Sequence, residues 1–239
     1  MTASTSSTRT ALRGSPVLVI AAVAVSALCS GWSGCGAASD VDLPVLGSVP
    51  DFSLVERSGR TVRAADLRGH IWVADFIFTR CASICPGLSA RMAVVQDALR
   101  REEASRDGAS DARGSSTARR LDASDVVLLA SFTVDPGHDT AEVLRLYAER
   151  FRADPDRWLF LTGPRAAIHK LVTDGFRLGI GEAPPGDREN TSVPIIHSDR
   201  FALVDRELHI RGYYPGLEEE GVAELMRQIR RLRQETSPR

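Results

Sequence analysis

Two hydrophobic periods alternate along this chain. Continuous apolar runs at Ile71 to Phe78, Val126 to Val134 and Trp158 to Leu161 have the length and β-branched or aromatic content of buried strands. Between them the spacing changes to that of helices with one apolar face. Leu88, Met92, Val95 and Leu99 form the first such face, and Val143, Leu144, Tyr147 and Phe151 the second, behind a cap at Asp139 or Thr140. Gly163-Pro164 opens a third helix bearing Ile168, Leu171 and Val172, which Gly175 closes. Asp51 to Leu67 predicts a hairpin around Ser58-Gly59. Phe201 to Val204 and Leu208 to Tyr214 predict a second one, turning at Asp205-Arg206-Glu207. A last helix from about Leu217 buries Val222, Leu225, Met226, Ile229 and Leu232, with Arg227, Arg230, Arg231 and Arg233 on its solvated side.

Strand, helix, strand, helix, strand, helix, hairpin and helix make an α/β protein of thioredoxin-like arrangement. The expected core is a mainly parallel central sheet with helices on both faces and an antiparallel C-terminal hairpin. Two stretches fall outside this periodicity. Glu102 to Asp125 is rich in Ser, Ala, Asp, Arg and Gly and predicts a polar loop insertion, and Gly179 to Val193, with Pro184-Pro185-Gly186, predicts a loop.

The first 36 residues read as an export leader. Arg9 and Arg13 supply the basic segment, Pro16 to Leu28 an apolar stretch too short for a standard membrane span, and Trp32-Ser33-Gly34-Cys35 resembles a lipoprotein cleavage box with Trp32 where leucine is usual. Residues 37–47 form a tether and 48–239 the domain. The expected address is the periplasmic side of a membrane, with the chain lipid-anchored through Cys35 or held by an uncleaved N-terminal segment. A net charge of -1 gives no electrostatic drive toward nucleic acid.

Behind the leader only two cysteines remain, and they carry the candidate chemistry. In Phe76-Ile77-Phe78-Thr79-Arg80-Cys81-Ala82-Ser83-Ile84-Cys85-Pro86 an apolar strand runs into a thiol pair with three residues between the sulfurs. Proline is tolerated in the first turn of a helix, so Pro86 places the helix start near Cys85 and Cys81 in the loop before it. Both sulfurs then lie near a helix N-terminus with Arg80 close by, a setting that favours thiolate over thiol. Thiolates bind soft metals and attack disulfides; two inert thiols or a structural disulfide fit the same spacing. Two thiolates with one imidazole suit copper(I) or zinc. His70, His169 and His209 sit in a turn, a helix and a strand, where packing or solvation accounts for them. His138 lies in a loop able to approach the thiols, and His197 lies just ahead of a strand that faces the cysteine corner in a thioredoxin-like sheet.

These landmarks resemble the Sco/SenC family of copper-binding thioredoxin-like proteins. The likeness runs from about Val49 to Leu232 through Asp51-Phe52-Ser53-Leu54, the cysteine stretch, Val134-Asp135-Pro136 with Asp139-Thr140, Trp158 to Gly163, and His197-Ser198 leading to Leu203-Val204-Asp205. The resemblance implies a metallochaperone that holds one copper, as Cu(I) or Cu(II), through Cys81, Cys85 and His197. It further implies a copper donor protein upstream and delivery to the binuclear copper centre of cytochrome c oxidase subunit II. His138 departs from the family pattern, in a segment usually acidic or neutral, and the polar insertion is longer than usual. A thiol–disulfide oxidoreductase that reduces the cysteines of the copper-accepting partner is the alternative, against which the three-residue spacing argues modestly. A peroxide-reducing enzyme would want its cysteine in a Thr-x-x-Cys setting, which Thr79 does not provide.

Overall fold

A computed structural model describes residues 43–111, 126–178, 181–182, 195–196 and 198–235. The leader, the tether as far as residue 42 and His197 lie outside the described residues.

Strand β1 is Gly47–Ser48, β2 Ser53–Glu56, β3 Thr61–Arg63, β4 Trp72–Ile77, β5 Leu128–Thr133, β6 Trp158–Thr162, β7 Gly181–Glu182, β8 Ile195–Ile196, β9 Arg200–Val204 and β10 His209–Pro215. Helix α1 is Ala64–Leu67, α2 Ile84–Asp111, α3 Ala141–Arg150, α4 Arg165–Lys170 and α5 Glu219–Gln234; a π turn, Leu171–Gly175, continues α4. Eight strands form one sheet in the order β1-β10-β9-β4-β5-β6-β2-β3, and β7 pairs with β8 apart from it.

The apolar runs read as buried strands are the centre of this sheet. Every residue of β4 and β6 is buried, as expected where both faces are covered. The parallel pairings are β4 with β5 and β5 with β6. Antiparallel strands flank this trio on both sides, β9 against β4 and β2 against β6. The sheet is therefore mixed, with its parallel part confined to the middle. Both expected hairpins are present, β2 with β3 and β9 with β10, the first turning at Gly59 with φ +87°, a conformation glycine adopts without steric cost.

Side chains alternate across β4 and β5 and so sort the layers. Trp72, Phe76 and Phe132 meet Phe176, from the end of the π turn, with ring centroids 5.0–6.1 Å from it. The opposite face carries α2, α3 and α5, linked by Ser89 Oγ to Tyr147 Oη (3.0 Å) and by Arg230 to Glu102 (2.7 Å). Thr140 caps α3, its hydroxyl accepting from the Val143 amide.

One boundary differs from the sequence expectation. The sequence predicts a polar loop from Glu102, yet α2 continues to Asp111. Glu103 pairs with buried Arg157 and with Arg233 (2.7 Å), and Glu102 with Arg230. Ion pairs to α5 and to the β6 entry hold this stretch of helix, so no apolar stripe announces it. The remainder of the insertion lies outside the described residues.

Candidate metal centre

Parallel pairing puts the carboxyl ends of β4 and β5 at one end of the sheet. The loop from Phe78 to Ser83 leaves β4 there, and the loop from Val134 to Thr140 leaves β5 beside it. Strand β9 runs opposite to β4, with Ala74 facing Ala202 and Trp72 facing Val204, so the chain entering β9 arrives at this same end. Gly216 fixes that approach: a Cβ there would stand 2.4 Å from Leu88 of α2 and 2.9 Å from the Asp199 carbonyl. Ser198 and Asp199 thus pass close to α2 one turn beyond Cys85. His197, the residue before them, lies outside the described residues, so its geometry does not enter here.

Cys81 and Cys85 are both buried, at 5% and 0% exposure, and not joined in a disulfide. Helix α2 starts at Ile84, so Cys85 is in its first turn and Cys81 in the preceding loop. The Cys85 amide donates to the Cys81 sulfur (3.4 Å), and the Ser83 hydroxyl lies 3.5 Å from it. Burial opposes ionisation of Cys81. The Ser83 hydroxyl, the Cys85 amide, the Cys85 thiol and the Ser83 amide outweigh it, bringing the Cys81 pKa down to about 6. Burial instead pushes the Cys85 thiol far up, and the neighbouring Cys81 and Asp75 add to the shift. The sequence suggests two thiolates in a half-exposed corner. In the structure the local donors favour the thiolate at Cys81 alone, and Cys85 is a deeply buried thiol behind it. The expected cation is also elsewhere: Arg80 is bound to Asp135 (2.5 Å), and the local donors alone lower the Cys81 pKa.

Beneath the pair lies a residue that sequence reasoning missed. Asp75 sits opposite Ser131 in the sheet, is fully buried, and neither of its carboxyl oxygens has a hydrogen-bonding partner of good geometry. The Ser131 hydroxyl accepts from Trp158 Nε1 (2.8 Å). Burial raises the Asp75 pKa to about 7, with a smaller opposing contribution from Ser131. A polar residue inside an apolar strand run was the available signal.

His138 does approach the cysteine loop. Its Nδ1 lies 3.0 Å from Asp139 Oδ1 and 3.4 Å from Thr79 Oγ1. Asp139 is fully buried and also accepts from the Thr79 amide (3.0 Å), the Thr79 hydroxyl (2.5 Å) and the Thr133 hydroxyl (2.5 Å). The β5 loop thereby clamps the cysteine loop two residues ahead of Cys81. His70, His169 and His209 stay away from the corner: His70 is in the turn before β4, His169 on α4, and His209 Nδ1 is 3.4 Å from Asp205. Among the described residues no group of three His, Cys, Asp or Glu side chains is gathered for a metal ion; the described part of the corner supplies two sulfurs.

A thioredoxin-like sheet with two cysteines, not joined in a disulfide, at the carboxyl end of its central strand defines a class of protein equipped for soft-metal binding or thiol exchange. Comparison with known proteins gives the particular family. The SCO1/SenC family model matches residues 46–109 and 113–234, and the chain belongs to this family. The SCO1 protein homolog of Bacillus subtilis is 30% identical over 176 residues, which is 73% of this chain and 77% of that protein. Among solved structures, BsSco, described with a disulfide switch and as a member of the Sco family of cytochrome c oxidase assembly proteins, superposes with a TM-score of 0.62 at 27% identity, covering 80% of this chain and 97% of that one. ScoI of Bradyrhizobium japonicum with copper bound shares the fold, with a TM-score of 0.56 at 22% identity over 75% of this chain and 98% of that one.

Proposed function

We propose that this chain is a copper metallochaperone that binds one copper ion through Cys81, Cys85 and His197 and delivers it to the binuclear copper centre of cytochrome c oxidase subunit II. The observation that carries the reading is the dithiol itself. Two sulfurs outside any disulfide share one corner, the outer with its pKa lowered to about 6 by local donors, and so offer copper(I) a soft donor pair. The chain entering β9, which holds Ser198 and Asp199, reaches the same end of the sheet, where an imidazole at His197 would complete the ligand set. Family membership and the copper-bound relative of the same fold support this direction.

Export and membrane anchoring, through a lipid on Cys35 or an uncleaved N-terminal segment, belong to the same proposal, because the oxidase centre to be loaded lies outside the cytoplasm. Among the described residues no helix is long and apolar enough to cross a membrane.

One observation favours the second reading, a thiol–disulfide reductase acting on the copper-accepting partner. A low-pKa outer cysteine with a buried thiol behind it is also an attacking and resolving pair. The experiment that separates the readings measures copper affinity, reduction of a disulfide-bonded partner peptide, and oxidase maturation for wild type, Cys81→Ser, Cys85→Ser and His197→Ala. A chaperone loses maturation with all three substitutions, and His197→Ala loses copper while keeping thiol chemistry. Oxidase maturation by a copper-free His197→Ala protein would leave only the reductase.

A further inference from the structure

We propose that His138 is an entry ligand for copper: an imidazole at the rim of the cysteine corner that captures the ion first and hands it to the Cys81 sulfur. The proposal rests on the copper reading above and concerns how the ion reaches the site.

The buried position of the dithiol creates the need. With Cys81 at 5% and Cys85 at 0% exposure, little of either cysteine is open to an ion held by a donor protein or by water. A more exposed donor beside them would make the first bond easier to form. His138 has that exposure, with 42% of its side chain open to solvent, while its partner Asp139 has none.

The hydrogen bonds around Asp139 then fix what the imidazole offers. A carboxylate has about four lone-pair sites and no proton to give. Here Oδ2 takes the Thr79 amide and the Thr133 hydroxyl, and Oδ1 takes the Thr79 hydroxyl and His138 Nδ1. Donation from Nδ1 to this carboxylate leaves Nε2 of the neutral ring with its lone pair, and Nε2 has no protein partner among the described residues. A carboxylate behind one imidazole nitrogen orients the ring and strengthens the other nitrogen as a metal ligand. The same carboxylate holds Thr79 by its amide and its hydroxyl, two residues before Cys81. Imidazole and cysteine loop are thus tied to one buried carboxylate, His138 directly and Cys81 through Thr79 two residues before it.

Transfer inward is ligand exchange with no change of oxidation state. The Cys81 sulfur donates a lone pair to the ion as the His138 bond breaks, and any proton on that sulfur leaves to water.

The test compares the purified full-length wild type with His138→Gln, whose amide can still donate to Asp139 but offers no imidazole lone pair. Copper(II) chloride is mixed with each reduced protein, and the sulfur-to-copper absorption band is followed by stopped flow. The expected result is a capture rate at least about tenfold lower in His138→Gln, with the final stoichiometry unchanged. A second measurement does not depend on the stability of that variant. With Cys81→Ser, Cys85→Ser and His197→Ala combined, one equivalent of copper(II) should show imidazole nitrogen coupling in its electron paramagnetic resonance spectrum, and adding His138→Gln should remove it. Equal capture rates, or a nitrogen signal that survives His138→Gln, would overturn the entry role. So would loss of bound copper at equilibrium in His138→Gln, which would make His138 a resident ligand. Failure of the copper reading itself looks different, because wild type would then bind no copper at all.

Discussion

At the scale of single residues the corner is built on unequal environments. Cys81 and Cys85 share one loop-to-helix junction, yet the local donors outweigh burial at Cys81, whereas at Cys85 burial, with Cys81 and Asp75 beside it, outweighs the one backbone hydrogen bond at Phe78. In the metal-free, reduced protein the alkylation rate of Cys81, followed by mass spectrometry, should rise with pH to a midpoint near 6 and level off above it. Ser83→Ala should move that midpoint upward, since the Ser83 hydroxyl is the largest contribution favouring the thiolate. A midpoint near the ordinary cysteine value, roughly 8.5, would mean that these donors do not act on the sulfur. Asp75 obeys the opposite rule. Its pKa rises from 3.8 to about 7 on folding because burial penalises the charge. Below pH 4 the carboxyl is protonated in both states and costs nothing. Between about pH 4 and 7 only the folded state keeps the proton, so stability declines as pH rises through this window, by an amount on the order of 4 kcal/mol. Asp75→Asn, read by urea unfolding at several pH values, should flatten that decline and be the more stable protein above pH 7. A parallel pH profile for the two proteins would contradict the buried-carboxyl account. The sequence displays the cysteines and their spacing. It does not display which sulfur receives the hydrogen bonds or that Asp75 lies under them, because both depend on the loop's path and on Ser131 from another strand.

At the scale of elements, legibility follows whatever force holds each segment. The strands β4, β5 and β6 are visible as apolar runs because burial on both faces selects them. The continuation of α2 past Arg101 is invisible for the opposite reason: at Glu102 and Glu103 it is held by charge pairs reaching α5 and Arg157. Glu103 is the centre of that arrangement, 5% exposed and bonded to Arg157 and Arg233. Glu103→Ala would leave the buried Arg157 guanidinium without its carboxylate, and Glu102, at 3.6 Å from Arg233, compensates only the other arginine. The expected loss is about 3 kcal/mol in denaturant unfolding. A cost below roughly 0.5 kcal/mol would show that the pair behaves as an exposed surface bridge. The cap of α3 is a smaller case of the same kind: Thr140→Ala removes one acceptor for the Val143 amide and should cost about 1 kcal/mol.

For the molecule as a whole, alternation of strands and helices revealed the thioredoxin-like centre, while the antiparallel flanks β9 and β2 could be placed only once their register against β4 and β6 was known. That register matters for function, because it brings the β4 loop, the β5 loop and the chain entering β9 to one end of the sheet, although they are far apart in sequence. An ion bound there would join segments that close on one another only in the folded state. Linkage then gives a global consequence: a ligand that binds the native state and not the unfolded one stabilises by about 2.7 kcal/mol at a hundredfold excess over its dissociation constant. Copper added to the reduced protein should therefore raise its thermal midpoint and continue to raise it with free copper concentration. The oxidised protein, whose sulfurs are tied to each other, should show little or no shift, and so should a Cys81→Ser, Cys85→Ser double variant. Differential scanning calorimetry of these samples at matched free copper decides the matter. A rise as large in the double variant as in wild type would place the stabilising ion away from the cysteine corner, and with it the proposed copper site.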